Sequence, residues 1–282
     1  MHRRLLRPEF EFVYGHASVL AALHSHKRQR LKTLYLQSTS RSSPATTKKK
    51  DSTPIESIME QCRQRNIPVI TTNKGELNNL TQDKPHQAPS PRTTIELKDP
   101  KDIRPGFWVA LDQVQDPQNL GSILRTAHFF GVDGVLLCSK NRQVAWYIAC
   151  VDDNGFVSAP LTPSVSKVSS GAMEVMDIYS TRSLVNFLKA CTTDHGWHTM
   201  AATAPEPSAI DIANIQHSLS KDIPRMLVLG SEGLGLRTNV KLACKQRVTI
   251  PNTSSLHHFK GHVDSLNVGV AAGILISHLA KA

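Results

Sequence analysis

Cysteine is sparse in this chain and never paired in a C-x-x-C arrangement: Cys62, Cys138, Cys150, Cys191 and Cys244 lie far apart and are odd in number. That spacing excludes a disulfide scaffold and reads as the reduced thiols of an intracellular protein. No apolar run approaches the roughly 20 residues that cross a bilayer. The longest candidate, Val268–Ile276, is far too short, so no membrane partner is expected. Two glycine signatures are missing as well. No G-x-G-x-x-G opens a helix after a strand and no Gly-Lys-Ser/Thr follows a glycine loop, so neither a dinucleotide-binding Rossmann site nor a P-loop is indicated. His257, His258 and His262 crowd one loop, but no cysteine or carboxylate pattern accompanies them, and no metal site is expected. Acidic residues are the scarcer charge, 23 against 33 basic, and the imbalance is uneven. Residues 1–100 hold 17 basic and 9 acidic side chains, which leaves 101–282 near neutral at 16 and 14. A basic first third joined to a near-neutral remainder suggests a polyanion-gripping module attached to something else.

What is present is concentrated in the C-terminal third. Met226–Leu229 is an apolar run that enters Gly230-Ser231-Glu232-Gly233-Leu234-Gly235, which reads as a strand buried on both faces ending in a loop where glycines allow close approach of a ligand. Val248-Thr249-Ile250-Pro251 reads as a second short strand stopped by proline. Ser265-Leu266-Asn267 then leads into an almost wholly apolar helix that is expected to be buried. Glycine loops at strand ends are where α/β proteins place ligand sites.

A length of 282 residues sits at the prior for two domains. After an N-terminal tail (1–11) that is arginine-rich but carries Glu9 and Glu11, and so is no evident import peptide, the order reads helix (12–26), strand (32–36), a Ser/Thr/Lys-rich loop within 37–53, helix (55–65), strand (67–70) and a short helix (74–80). Residues 98–105, charged and bracketed by prolines, read as a linker, placed at 98–106. The second part opens with a buried strand, Phe107–Asp112. Asp116-Pro117 then starts a helix with aspartate as N-cap and proline at its first position. Leu120, Ile123, Leu124, Ala127 and Phe130 recur at helical spacing before Gly131. Strands at 135–138 and 198–202 flank a helix over 184–190.

Three stretches, DQVQDPQNLGSILRTAHFFG, LVLGSEGLGL and IPN…SLNVGVAAGI, resemble in order the three motifs of the SpoU-type RNA ribose 2′-O-methyltransferases, and the resemblance runs from about Phe12 to Ala280. It implies an α/β fold: a trefoil-knotted SPOUT methyltransferase domain (107–282) preceded by a small substrate-binding domain similar to ribosomal protein L30e (12–97). It further implies S-adenosyl-L-methionine as cofactor and a homodimer formed through the knot domain. The substrate it implies is RNA, a guanosine of mitochondrial large-subunit (16S-type) rRNA, with location in the mitochondrial matrix. A tRNA substrate, or a non-catalytic RNA-binding ribosome-assembly factor of the same fold, stays open as an alternative.

The same resemblance assigns residues. Arg125, a cation within an otherwise apolar helix, would hold the phosphate and stabilise developing charge on the 2′-oxygen. A guanidinium is a poor proton acceptor, so its role is to lower the effective pKa of the hydroxyl. Asn119, Glu232, Ser265 and Asn267 would position the ribose and the loops. Leu229, Gly230, Ser231, Gly233, Ile250, Leu266 and Asn267 would hold the cofactor, largely through main-chain groups in an apolar slot. Arg28, Arg30, Lys32, Arg63 and Arg65 are the expected RNA contacts. Two departures stand out: Gly269 replaces the serine usual after Asn-Val, and Gln143–Val157 interrupts the spacing before Pro163–Ala172. The interruption reads as an atypical insertion, either genuine or, the favoured reading, an artefact of how the sequence was assembled, and is expected to form an irregular excursion outside the core.

Overall fold

The computed structural model describes residues 12–28, 31–38, 52–81, 94–138, 161–215, 222–231, 234–252 and 265–280. The chain divides into two compact units, residues 1–93 with 160–175, and residues 94–159 with 176–282. The first contains α1 (His16–Ser25), β1 (Leu34–Gln37), α2 (Ser52–Gln64), β2 (Val69–Thr72) and α3 (Lys74–Thr81). β1 and β2 pair in parallel, Leu34 opposite Val69 through Gln37 opposite Thr72. Leu23, Ile58 and Cys62 are the buried centre beneath them, with Val19, Leu20 and Ile67 packed around. The Ser/Thr/Lys-rich loop lies almost wholly outside the described residues, as does the Gln143–Val157 excursion.

The second unit is built on a parallel sheet. Its elements in chain order are β3 (Ile95–Glu96), β4 (Phe107–Leu111), α4 (Pro117–Phe129) and β5 (Gly134–Cys138). After α5 (Pro163–Val168) and α6 (Ala172–Val175) come β6 (Ile178–Thr181), α7 (Leu184–Thr193), β7 (His198–Thr203), β8 (Ile210–Asp211) and α8 (Ile212–Ile215). The last are β9 (Arg225–Leu229), α9 (Thr238–Ala243), β10 (Gln246–Thr249) and α10 (Val268–Leu279). Eight strands stand in the order β3-β6-β5-β4-β9-β7-β10-β8, and every described pairing is parallel. β4, β5 and β9 are buried at every residue. That explains the apolar runs Phe107–Leu111, Val135–Cys138 and Met226–Leu229, since a parallel strand covered on both faces has no solvent side to alternate with. Trp108 anchors one face of the sheet, 4.9 Å from the Tyr179 ring and 6.4 Å from Trp197 between centroids. Burial pushes the Cys191 and Cys244 thiols up to about 12, so both are inert packing groups.

Three expectations are corrected. Residues 98–106 are no free linker. Ile95–Glu96 adds a strand beside β6, Leu97 donates its N–H to Ser180, and Leu97 and Ile103 are buried in the second unit. Residues 160–175, expected within the methyltransferase domain, pack with the first unit. There the Ser18 hydroxyl donates to the Ser166 carbonyl (2.9 Å), Lys27 Nζ to the Val175 carbonyl (2.8 Å), and Arg28 pairs with Glu174. Finally, α10 is not buried all round: Val268, Ala272, Leu275, Ile276 and Leu279 face the core, while Val270 and Ile274 remain exposed.

Candidate active site

Because β4, β9, β7 and β10 are adjacent and parallel, the loops that follow them emerge at the same edge of the sheet. The first carries the chain from Asp112 to α4. Asp116 takes an extended conformation (φ −70°, ψ 123°), and its side chain accepts from Gln118 N at 3.1 Å while Pro117 occupies the first helical position. That cap fixes the start of α4 and so the position of Asn119, which is 5% exposed. Asn119 Nδ2 donates to Asp116 Oδ2 (3.1 Å), and its Oδ1 accepts from Asn267 Nδ2 (3.1 Å). Asn267 in turn caps α10, its Oδ1 accepting from Gly269 N (2.9 Å) and Val270 N (3.3 Å). One polar chain thus joins the start of α4 to the start of α10.

Gly269 sits where these groups converge. A Cβ there would lie 3.1 Å from Asn267 Oδ1, 3.2 Å from Ser122 Oγ and 3.3 Å from Asn119 Oδ1. Three oxygens already surround the position, and Ser122 places a hydroxyl beside it. The departure from the usual serine therefore leaves the corner supplied with oxygen.

Arg125 lies two turns into α4 and is exposed. Among the described residues its side chain makes no hydrogen bond or ion pair, so its five donors are available to an incoming anion. Ser265 and Leu266 are exposed just before α10, Leu266 by 48%.

The loop after β9 closes on itself. Ser231 and Gly235 exchange main-chain hydrogen bonds at 3.1 and 3.0 Å, and Gly235 takes φ +63°. Gly230 lies directly under the return path: a Cβ would stand 2.3 Å from Gly235 C and 2.4 Å from Leu236 N, so no other residue fits. Leu229 and Gly230 are buried, Ser231 partly so. Glu232 and Gly233 lie outside the described residues. Ile250, half-buried, follows β10.

Sequence reading missed three residues here. Thr203 ends β7, between β9 and β10. Its Oγ1 is buried and has no hydrogen-bond partner among the described residues. A buried hydroxyl without a partner among residues the strand ends bring together fits a polar ligand between these loops. Asp112 and Arg237 form a side-chain fork, Arg237 Nε and Nη2 both donating to the Asp112 carboxylate. The Asp112 carboxylate holds the Arg237 guanidinium above its ordinary value by hydrogen bonding.

Of the expected RNA contacts, Lys32 and Arg63 are exposed, and Arg63 pairs with Glu60 at the surface. Arg65 abuts His26. Arg30 lies outside the described residues. Arg28 is a correction: its Nε and Nη2 each donate to Glu174 at 2.8 Å, with side-chain exposures of 6% and 0%, so it holds the first unit together instead of facing solvent. Among the described residues no cluster of histidine, cysteine or carboxylate could hold a metal, and the histidines 257–262 are not among them.

Residues 106–277 match the SpoU rRNA Methylase family, and residues 12–88 match the RNA 2′-O ribose methyltransferase substrate binding family. The human protein named "rRNA methyltransferase 1, mitochondrial" is 34% identical over 239 residues, 79% of this chain, which spans 62% of that protein's length. The "23S rRNA (guanosine-2′-O-)-methyltransferase RlmB" of Coxiella burnetii is 29% identical, with 95% of this chain and 94% of its own covered. Among solved structures, the SpoU methyltransferase AviRb from Streptomyces viridochromogenes, in complex with the cofactor AdoMet, superposes with a TM-score of 0.60 at 18% identity, covering 95% of this chain and 87% of that one. That likeness concerns the fold. With its motifs in order, its parallel sheet and a family match over more than half its length, the chain belongs to the SpoU rRNA methylase family.

Proposed function

We propose that this protein is an S-adenosylmethionine-dependent RNA ribose 2′-O-methyltransferase that modifies a guanosine of mitochondrial large-subunit rRNA in the matrix. The hydrogen bond between Asn119 and Asn267 carries the reading, since it draws two motif loops into one corner at the start of α4, the helix that carries the exposed Arg125. S-adenosylmethionine supplies an electrophilic methyl group. Thr203, Gly230 and Ile250, at adjacent strand ends, are the residues that would hold it, the orphaned Thr203 hydroxyl and the tight Gly230 turn fitting an adenosine edge. Arg125 grips the phosphate beside the target ribose and stabilises the developing 2′-oxyanion. Asn119 and Asn267, locked to each other, fix the entry of α4 and hence the aim of Arg125. Guanosine and the mitochondrial rRNA are supported by the names of the relatives.

In this reading the protein also acts as a homodimer, with the trefoil knot that the family resemblance implies in its methyltransferase domain. The support is an apolar surface left on α4 and α10: Phe129 is 80% exposed, Val270 53% and Ile274 38%. Large apolar side chains left exposed on neighbouring helices are what an association face would cover.

The test is transfer of tritiated methyl from S-adenosylmethionine to large-subunit rRNA transcripts, with the modified ribose mapped by mass spectrometry. Arg125→Ala is expected to abolish transfer while calorimetry finds cofactor affinity within a few-fold of wild type. Near-normal turnover of that variant would overturn the role of Arg125, and a wild-type protein that binds cofactor and RNA without transfer would leave a binding factor instead.

A further inference from the structure

The motif loops must keep a fixed separation for one cofactor to span them, and Asn119 with Asn267 ties only two of the three. We infer that Asp112 and Arg237 are the second tie, positioning residues that lock the loop after β9 to the loop before α4. The inference rests on the proposed methyltransferase site and adds to it a pair given no role above, although Asp112 opens the first motif stretch.

Asp112 is the first residue beyond β4 and its side chain is fully buried. Its N–H donates to the Leu229 carbonyl at 2.8 Å, so it stands alongside the point where β9 gives way to Gly230. Arg237 is the first residue after the closed Ser231–Gly235 turn and Leu236, and it is also the N-cap of α9. Its Nη2 donates to Asp112 Oδ1 at 2.6 Å, its Nε lies 3.0 and 3.1 Å from the two carboxylate oxygens, and its main-chain N donates to Oδ2 at 3.3 Å. Side chain and backbone of one residue thus hold one carboxylate, which fixes the loop end in both position and direction. Leu236, buried at 4%, packs the same segment into the core. Both ends of the loop are now set: the outgoing end by β9 and Gly230, the returning end by Arg237.

The tie also reaches the first motif. Only Gln113–Gln115 separate Asp112 from the Asp116 cap, and Gln113 takes φ +66°, a conformation that side chains rarely adopt and that surrounding structure must enforce. Asp112, anchored by Arg237, supplies that enforcement on one side, and the Asp116–Asn119 bond supplies it on the other. The three motif loops are then linked in sequence, Arg237 to Asp112, onward through Asp116 to Asn119, and from Asn119 to Asn267. Neither Asp112 nor Arg237 needs to touch RNA. Loosening them should be felt first by the molecule held between the loops.

The experiment measures steady-state kinetics in both substrates, cofactor calorimetry and thermal unfolding on the full chain for wild type, Arg237→Gln, Arg237→Lys and Asp112→Asn. Wild-type cofactor binding and methyl transfer are established first, so failure there counts against the proposed function and not against the tie. The expected result is a rise of about tenfold or more in KM and Kd for S-adenosylmethionine in Arg237→Gln, with KM for RNA within twofold. Arg237→Lys, which keeps the charge but loses the planar fork, is expected to fall between the two. A merely structural pair would lower the unfolding temperature of all variants and leave the cofactor constants of the folded fraction unchanged, and that result overturns the inference. So does Arg237→Lys matching Arg237→Gln in cofactor affinity while both remain folded. Should Arg237→Gln fail to fold, Arg237→Lys and Asp112→Asn decide alone: unchanged cofactor affinity in both overturns the tie, and a selective rise supports it.

Discussion

Replacing Arg28 by alanine should destabilise the first unit far more than loss of a basic surface residue would. The guanidinium is 6% exposed and makes two 2.8 Å bonds to a carboxylate that is fully buried. Two unit charges about 4 Å apart attract by about 4 kcal/mol at an effective dielectric constant of about 20. Removing one of them from a buried pair costs roughly 3–5 kcal/mol, because the other stays behind without its counter-charge. Among the described residues, the Ser166 hydroxyl, donating to Glu174 at 2.7 Å, is what would soften that. Domains are stable by about 5–15 kcal/mol, so Arg28→Ala alone should remove a large part of what holds this unit folded. The double variant Arg28→Met/Glu174→Leu removes both charges and should recover most of the loss, leaving a coupling of roughly 2 kcal/mol or more between the positions. Two units need not unfold together, so the readout is hydrogen exchange at the α1 amides beside a urea titration followed by far-ultraviolet circular dichroism. A cost below about 1 kcal/mol for Arg28→Ala, or additive losses in the double variant, would refute the reasoning.

RNA affinity should instead depend on the exposed cations: Lys32→Ala with Arg63→Ala is expected to weaken RNA binding and lower the salt slope by about two, with cofactor affinity unchanged in calorimetry. Val270→Asp with Ile274→Asp, on the exposed side of α10, should convert a dimer to a monomer in analytical ultracentrifugation without unfolding the sheet. Burial, foremost, holds the His198 imidazole below its ordinary 6.5, so the folded state binds fewer protons there than the unfolded chain. The stability this contributes is fully present above 6.5 and is lost as pH falls through the lower folded value; urea midpoints from pH 7.5 to 5 should drop less steeply in His198→Gln.

Local chemistry made much of this legible in the sequence. Asp116-Pro117 announced a helix whose cap the structure bears out, and the apolar runs at 107–111 and 226–229 lie in fully buried parallel strands. What escaped was set by distance along the chain. Arg28 and Glu174 are 146 residues apart, and an arginine in a basic stretch looks solvated until its partner is seen. Asp112 and Arg237 are 125 apart. The signal for that pair was faint but real, a carboxylate ending a wholly apolar strand where burial demands a counter-charge. α10 misled for another reason: with apolar residues on all sides, no periodicity remained to say which face the fold would leave uncovered.

The membership of residues 160–175 in the first unit has a consequence for how the chain is made. Synthesis runs from the amino end at roughly 5–20 residues per second, and a unit whose parts are contiguous can fold while the rest is still being added. Here α1 emerges long before the segment that covers it. Arg28 precedes Glu174 by 146 residues, an interval of about 7–30 s at those rates. For that time the newborn unit lacks the carboxylate of Glu174 and has an open flank on α1, and its completion waits on the far side of the chain.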